Sequence, residues 1–539
     1  MEFFIRKDMP VIPHKKHWQF CVGSGHALLA LRTDYTRQLK FIHDTLGIER
    51  VRFHGIFDDD MRTYTDLSMQ MPLPGAQAFE EYNFNACGVA YDNVLDAGMK
   101  PFVELSFMPK KLMTQDDRPK EGSFFYKPYI VPPDDHAAWK RYIQAFLRFL
   151  IHRYGLEEVR SWYFEVWNEP DLPGAFWNGS RDEYFRLYET TVRAIKEVDS
   201  QIPVGGPATS NSKWVRSFLE FCEENHVPVD FVSTHQYAGD PLGGVEDQGG
   251  PDSDAQSEGD KSGVADQMKQ RFLTLGEALQ SVGDKTFLNG FRTIMVDKSE
   301  TTDLPNDVFI KNSKIVRRQA GGLPVFYSEW NENAIFSAYT NDTRKVAAYD
   351  VKTALDVSDH LDGSSIWCFS DIFEELHPFP QEFHGGFGIL TQNGVPKPVY
   401  HALKMLHDAG DTRLDLGPDA TLGEIGIAAF RNADELQVLL FRQKMKNLDL
   451  PGEQAVIRLA LDAAPAAVMA RRIDEAHGNP LRVWEEMGSP VSLNKREVNE
   501  LIEKSKVVDE PWPFTYKEGV LTITAELGVN DVYFFTVKY

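Results

Sequence analysis

Short apolar segments alternate with longer amphipathic ones along the first 410 residues of the chain. The apolar segments are rich in β-branched and aromatic residues, and the stretches between them repeat apolar positions at helical spacing. Near-continuous apolar strands separated by helices are typical of parallel strands that are buried on both faces. The eight apolar segments begin at His17, Arg50, Lys100, Ser161, Ile202, Val229, Leu323 and Ser364. Eight strand–helix units in succession predict an α/β fold, the (β/α)8 or TIM barrel.

The pattern changes after about Gly410, where apolar and polar residues begin to alternate with period two. Alternating segments separated by turn residues favour an antiparallel β-sandwich. The segments are LGEIGIAAF, LQVLLFRQ, EQAVIRLAL, GVLTITAEL and DVYFFTVKY. We therefore predict a catalytic barrel over 18–410 and an accessory β-sandwich over 411–539, to which the N-terminal segment 1–17 could add a strand.

A stretch rich in Gly, Asp and Pro, Gly239–Gly263, follows the sixth predicted strand. It lies at the face of the barrel where active sites are found, and its composition does not suit a packed core. Two interpretations stay open, a solvated mobile loop and a lid over the barrel mouth.

Composition and charge limit the classes of partner. The chain has 539 residues, of which 42% are hydrophobic and 25% charged, as in an ordinary globular protein. A net charge of −23 disfavours nucleic acids and anionic membranes as partners, because both require a basic surface. No run approaches the ~20 apolar residues of a membrane span, and the N-terminus lacks the apolar core of a signal peptide. We expect a cytoplasmic protein.

The four cysteines are isolated from one another, at Cys21, Cys87, Cys222 and Cys368. Without a CxxC pair, neither a zinc site nor a disulfide framework is indicated, and we expect free core thiols. The histidines near the predicted mouth also lack the HxxxH or HxH spacing of a preorganised ligand pair. The sequence therefore predicts neither a metal nor a cofactor.

Two glutamates stand at predicted strand ends, where a parallel barrel places its catalytic groups. Glu169 lies in WNEP at the end of the fourth strand, and Glu329 lies in SEWN at the end of the seventh. Barrel closure brings both to one mouth. A carboxyl pair there suits glycosidic hydrolysis, in which one carboxyl protonates the leaving oxygen and the other attacks the anomeric carbon.

A third glutamate, Glu165, has a structural interpretation. Period two places Glu165, Trp167 and Glu169 on one side of the strand, so Glu165 is expected to point into the barrel. A buried carboxylate without a partner is costly, and Arg52 and Glu104 are candidate neighbours.

Several motifs resemble known enzymes. EVWNEPDL, FYSEWN and the eight-strand alternation resemble the clan A glycoside hydrolases. VRFHGIFDDD, FVELSFMPKKL, PVDFVSTHQY and WCFSDIFEE followed by FHGGFGIL are similar to glycoside hydrolase family 39, which contains β-xylosidases and α-L-iduronidases. The resemblance covers roughly Trp18 to Gly410. It implies a retaining mechanism, with Glu169 as the general acid/base and Glu329 as the nucleophile.

The same resemblance implies a set of sugar-binding residues. Asn168 matches the residue that hydrogen-bonds the sugar 2-hydroxyl, and His235 and Tyr237 match a pair that lines the first subsite. The other implied pocket residues are His54, Phe107, Trp367, Glu374, Glu375 and His384. For each of them a packed core residue is the alternative interpretation. The long acidic loop after Tyr237 departs from the family pattern and leaves the aglycone preference open.

We expect a retaining exo-glycosidase that releases xylose from the non-reducing end of xylo-oligosaccharides or β-xylosides. Its partner would be a small carbohydrate, with neither nucleic acid nor membrane, and a homo-oligomer is one option. The alternatives are another family 39 specificity, such as an α-L-iduronidase, arabinosidase, β-glucosidase or β-galactosidase, and a non-catalytic sugar-binding barrel. The Glu374–Glu375 pair has the wrong charge for a uronate, which favours neutral sugars.

The resemblance also predicts how the two glutamates divide the work. In a retaining enzyme their carboxyl groups lie about 5–5.5 Å apart, against ~6.5–9.5 Å in an inverting one. We expect Tyr237 and nearby donors to keep the pKa of Glu329 low. We expect the charge of Glu329 and partial burial to raise the pKa of Glu169.

Overall fold

The computed structural model describes residues 1–6, 8–66, 80–239, 305–334, 336, 339–375, 380–432, 435–446 and 450–538. All but the first residue of the predicted loop Gly239–Gly263 lies outside these described residues. Its two interpretations therefore stay predictions.

Eight parallel strands form a closed barrel, which confirms the predicted (β/α)8 fold. The strands β1 to β8 are Cys21–His26, Arg50–His54, Lys100–Leu105, Tyr163–Val166, Val204–Thr209, Phe231–Gly239, Val325–Asn333 and Gly363–Ile366. Around the barrel the order is β6-β7-β8-β1-β2-β3-β4-β5. Because all eight run in one direction, their carboxyl ends meet at one mouth.

A main helix follows each strand and packs on the outside of the barrel. The helices α1 to α8 are Thr33–Leu46, Asn85–Asp96, His136–Tyr154, Arg181–Val198, Val215–Glu224, Val308–Ala320, Arg344–Asp356 and Pro398–Asp408. A short helix, Leu156–Arg160, follows α3. In α1 the buried stripe of Tyr35, Leu39, Ile42 and Leu46 follows the predicted spacing, and the helix ends at Gly47 in the left-handed conformation, φ +69°.

Aromatic side chains close the barrel interior at the amino ends of the strands. Phe102, Phe231 and Phe326 form a buried cluster with Cys21, and Phe20 stacks on Phe326 with ring centroids 4.5 Å apart. This packed floor leaves the carboxyl ends of the strands as the open end of the barrel, where polar side chains collect.

The C-terminal part consists mainly of two sheets that share a buried core, as predicted from the period-two alternation. The larger sheet contains Val11–Pro13, Thr412–Leu414, Thr421–Leu422, Ile425–Arg431, Glu435–Arg442, Ala467–Ile473, Glu510–Pro511 and Val532–Lys538. The smaller sheet contains Glu2–Ile5, Glu453–Ala460, Phe514–Lys517 and Val520–Leu527. Two N-terminal strands thus pair with C-terminal ones, and on this ground we propose domain boundaries at 17/18 and 410/411.

Two helices of the C-terminal part, Pro480–Glu486 and Lys495–Lys504, pack against the loop that follows β8. Phe383 of that loop lies 5.5 Å from Trp484 between ring centroids, and both belong to one buried cluster. The C-terminal part therefore supports a loop at the barrel mouth.

All four cysteines are buried free thiols. Within the described part of the chain, no helix combines the length and apolar character needed to cross a bilayer.

Candidate active site

Glu169 and Glu329 lie together at the mouth of the barrel. Glu329 is part of β7, and Glu169 follows the end of β4 by three residues. Both are buried, with 6% and 4% of their surface exposed. One oxygen of each carboxyl and one ring nitrogen of His235 all lie within 4.8 Å of one another. The two strand ends therefore deliver a close carboxyl pair.

The alternation predicted for the fourth strand ends earlier than expected. The strand stops at Val166, and Trp167 and Glu169 both have positive φ, +74° and +41°. The indole of Trp167 donates to the carbonyl of Phe176 and packs against Trp177, so period two does not govern its direction. The prediction that Trp167 shares the face of Glu165 was wrong, because the backbone turns before it.

His235 is hydrogen-bonded to Glu169, and its tautomer follows from its partners. Its Nε2 lies 3.5 Å from Nη2 of Arg52, which can only donate, so Nε2 must be the bare acceptor. The proton then sits on Nδ1, 2.9 Å from Oε1 of Glu169, and donates to that carboxyl oxygen. Burial and the charges of Arg52 and His54 lower the pKa of His235 well below its usual value, in agreement with a neutral ring.

Arg52 is completely buried and, besides His235, contacts four side chains of the site. It donates from Nη1 to Oε1 of Glu329 at 2.6 Å and from Nε to Oε2 of Glu165 at 2.6 Å. Its Nη2 donates to Oδ1 of Asn168 at 2.8 Å and lies 2.9 Å from Oε2 of Glu104. The expected pairing of Glu165 with Arg52 is thus observed.

The sequence interpretation missed the contact between Arg52 and Glu329. The available signal was the spacing of Arg52 and His54, two residues apart on β2, which puts both on one face of the strand.

The expectation of a low pKa for Glu329 was wrong. Burial raises the pKa of Glu329 above its usual value, against the opposing effects of Arg52, His54 and the Tyr237 hydroxyl. The prediction considered hydrogen-bond donors such as the Tyr237 hydroxyl, which does donate to Oε2 of Glu329 at 2.9 Å. It left out the free-energy cost of burying the charge of the carboxylate.

Asn168 keeps one donor for a ligand. Its Oδ1 accepts from Arg52, whereas its buried Nδ2 has no hydrogen-bond partner among the described residues. A buried amide donor without a partner is costly, and a sugar hydroxyl would satisfy it.

His54 lies between carboxylates on both sides of its ring. Its Nδ1 is 2.7 Å from Oε2 of Glu104, and its Nε2 is 3.6 Å from Oε1 of Glu329 and 3.5 Å from Oε1 of Glu375. Burial would lower the pKa of His54, but Glu104, Glu375 and Glu329 outweigh it and raise the pKa to about 9. Burial raises the pKa of Glu375 to about 8.

Aromatic rings form the walls around these polar groups. The ring of Trp367 lies 4.9 Å from that of His54, and Phe107 lies 6.2 Å from it. Phe176 stacks on Phe107 and lies 5.7 Å from His54, a contact that the sequence interpretation missed. Phe176 stands in a loop without periodicity, so no pattern signals it.

Two predicted pocket residues are placed differently from the rest. Glu374 is a half-buried side chain at the rim, where Nη1 of Arg32 donates to its Oε1 at 2.5 Å. Its predicted role as a sugar ligand stays a prediction, and Arg32 compensates its charge. His384 is buried beside Phe336, whose apolar cluster includes Tyr237 and Trp367, so it stands behind this wall.

Two groups of potential metal ligands occur among the described residues. One is Glu169, His235 and Glu329, whose donors are engaged as above. In the other, Nε2 of His26 is hydrogen-bonded to Oδ2 of Asp60 at 2.6 Å, and Nδ1 lies 3.4 Å from Oδ2 of Asp58. Neither Nδ1 of His26 nor Oδ2 of Asp58 has a hydrogen-bond partner among the described residues.

Comparison with known proteins agrees with this geometry. The chain matches the family model described as "Glycosyl hydrolases family 39" over residues 1–252 and 291–521. It is 36% identical over 496 residues to a protein named beta-xylosidase from Caldicellulosiruptor saccharolyticus, covering 92% of this chain and 89% of that protein. It is 32% identical to a beta-xylosidase from Geobacillus stearothermophilus, covering 96% of this chain and 92% of that one.

A solved structure resembles the whole chain. The monomeric beta-xylosidase from Caulobacter crescentus has a TM-score of 0.75 and 26% identity, covering all of this chain and 99% of that one. The family match extends over most of the sequence, the relatives are aligned nearly end to end, and the barrel carries a carboxyl pair at its mouth. The chain therefore belongs to glycosyl hydrolase family 39 and is a glycoside hydrolase.

Proposed function

We propose that this protein is a retaining exo-β-xylosidase, which releases xylose from xylo-oligosaccharides or β-xylosides. The observation that carries the proposal is the close approach of the Glu169 and Glu329 carboxyls, within 4.8 Å between one oxygen of each. So close an approach suits direct attack by one carboxyl on the anomeric carbon, as in a retaining enzyme. The named relatives support xylose as the sugar.

The contacts of the two glutamates support separate roles. Arg52 and Tyr237 donate to opposite oxygens of Glu329, which hold its carboxylate in place for attack on the anomeric carbon. Glu169 receives a hydrogen bond from neutral His235, and it would protonate the leaving oxygen and then activate water for the second step.

The charges of the site support a neutral sugar. Arg52 and His54, the cations of the described site, already face carboxylates, and neither is left over for the carboxylate of a uronate. Because Arg32 compensates the charge of Glu374, the preference for a neutral sugar rests on the engagement of both cations. It does not rest on repulsion of a uronate by the Glu374–Glu375 pair. Glu375 would bind sugar hydroxyls, since its carboxyl accepts from them and, when protonated, also donates.

A panel of nitrophenyl glycosides tests the proposal. It contains the β-D-xyloside, α-L-arabinoside, β-D-glucoside, β-D-galactoside and α-L-iduronide, with kcat/KM measured for each. We expect the β-D-xyloside to be the best substrate, and Glu329→Gln to lower its kcat by at least about 10³-fold. Faster hydrolysis of the iduronide or of a hexoside would contradict the proposed specificity. No hydrolysis of any glycoside would favour a sugar-binding barrel.

A further inference from the structure

Glu104 is a fully buried carboxylate one layer behind the reacting groups. It lies on β3, and its Oε2 is 2.7 Å from Nδ1 of His54 and 2.9 Å from Nη2 of Arg52. The hydroxyl of Ser106 donates to its other oxygen. Burial alone would raise the pKa of Glu104, but His54 and Arg52 reverse the direction and lower it. Glu104 is therefore a fixed negative charge, and it has no contact with a sugar in the proposed mechanism.

Carboxylate oxygens face both nitrogens of His54. A neutral imidazole has one N–H and one lone pair, so either tautomer would turn a lone pair toward a carboxylate oxygen. The imidazolium offers an N–H to Glu104 and a second N–H to Glu329, whose Oε1 lies 3.6 Å from Nε2, and to Glu375 beside it. We propose that Glu104 is a positioning residue that keeps His54 doubly protonated, so that His54 presents an N–H to Glu329 and Glu375; the catalytic part of this inference rests on the proposed function.

Every element packed against His54 contributes to this balance. The titratable and charged groups around it are Arg52 on its own strand, Glu104 on β3, His235 on β6, Glu329 on β7 and Glu375 after β8. Burial raises the pKa of Glu329 and Glu375, whereas the pKa of Glu104 is lowered, so Glu104, with the shortest contact to the ring, is the strongest fixed negative charge beside it. Removal of this one charge should release the proton of His54 at neutral pH.

The Glu104→Gln variant removes the charge and keeps the shape. Because Glu329 and Glu375 remain, His54 should regain its proton in mildly acidic solution and lose it above neutrality. For a nitrophenyl β-D-xyloside we expect kcat/KM to fall about tenfold near pH 7.5 and less than about threefold near pH 5.5, mainly through kcat. Glu104→Asp keeps the charge and should show a deficit that does not depend on pH. Asp350→Asn, which changes a buried carboxyl group on α7, is the control and should leave the profile unchanged.

A second measurement detects the protonation state of His54 independently of enzyme activity. In ¹H–¹⁵N spectra of ¹⁵N-histidine-labelled wild type near pH 7.5, both ring nitrogens should resonate as protonated, and the signal should be absent from His54→Gln. Glu104→Gln should show a neutral ring at the same pH. A neutral His54 in the wild type would overturn the proposal, and so would an equal loss of kcat/KM in Glu104→Gln at both pH values. The wild-type spectrum is decisive even if the Glu104→Gln variant does not fold. Absence of xyloside hydrolysis would instead contradict the proposed function, whatever the state of His54.

Discussion

The guanidinium of Arg52 compensates three buried carboxylates. Its nitrogens lie 2.6 to 2.9 Å from oxygens of Glu104, Glu165 and Glu329, and its side chain has no exposed surface. A buried charge network of this kind contributes little net free energy when complete, but loss of one partner leaves charges without compensation in a medium of low dielectric. Arg52 is therefore needed for folding as well as for orientation of Glu329.

We predict that Arg52→Met lowers the free energy of unfolding by about 3–5 kcal/mol at neutral pH, since Met fills part of the volume without the charge. Urea unfolding measures the difference. The deficit should shrink near pH 5, because the released carboxylates can take up protons. Lys40→Met is the control, as it removes one partner of the exposed Lys40–Asp44 pair and should cost at most about 1 kcal/mol. A deficit for Arg52→Met as small as that of the control would refute the role of Arg52.

A buried lysine organises the loop that follows β8. Nζ of Lys397 lies 2.7 Å from both Asp342 and Asp371 and donates to the carbonyl of Gly386 at 2.9 Å. The two carboxylates in turn accept from backbone N–H groups, Asp342 from Gly385 and Asp371 from Gly388. These contacts fix the segment next to His384.

Replacement of Lys397 by Met should loosen this loop. Two buried aspartates would lose their cation, so we expect the free energy of unfolding to fall by about 3–5 kcal/mol. We expect KM for the β-xyloside to rise about tenfold through movement of His384 and the adjacent wall, with a smaller change in kcat. Lys404→Met, which breaks a partly exposed pair with Asp408 on α8, is the control. A lower free energy of unfolding with an unchanged KM would show that the order of this loop does not affect substrate binding.

At the scale of the whole molecule, His17 couples stability to pH near the closure of the barrel. Its Nδ1 lies 2.9 Å from the hydroxyl of Ser364 on β8, and its Nε2 lies 3.0 Å from the carbonyl of Ala354 on α7. The carbonyl can only accept, so Nε2 carries the proton. Burial lowers the pKa of His17 to about 4.

The folded pKa of His17 lies below the ordinary value of about 6.5, so the unfolded chain binds its proton more tightly. Stability from the neutral ring is present above about pH 6.5 and is lost as the pH falls toward 4. We expect His17 to account for a loss of about 2 kcal/mol between pH 7 and 5. In urea unfolding at pH 7 and pH 5, the free energy of unfolding of His17→Gln should fall by about 2 kcal/mol less than that of the wild type. An identical pH dependence in wild type and variant would be evidence against this assignment.

The sequence predicted the architecture because its signals are periodic. Near-continuous apolar strands and helical stripes such as that of α1 are local patterns, and barrel closure follows from their number. The positions of Glu169 and Glu329 were predictable for the same reason, since both stand at the ends of predicted strands, although β7 continues past Glu329 to Asn333. The spacing of Arg52 and His54 also carried information, but only about the face they share.

What the sequence did not reveal depends on contacts between distant segments. Phe176 stands in a loop without a period, and the pairing of Glu374 with Arg32 joins residues more than 300 positions apart. The raised pKa of Glu329 reflects burial by many neighbours, which no short motif encodes. The break after Val166 arises from backbone angles that local propensity does not specify.

The most direct test of the central claim is the anomeric configuration of the azide product formed by Glu169→Ala. An aryl β-xyloside with a good leaving group needs no proton in the first step, so the variant should still form a glycosyl-enzyme on Glu329. Without the general base, azide should accelerate the second step by attack on the face opposite to Glu329. We expect the β-xylosyl azide, identified by its anomeric proton signal in NMR. The α-xylosyl azide would mean that the roles of Glu169 and Glu329 are reversed.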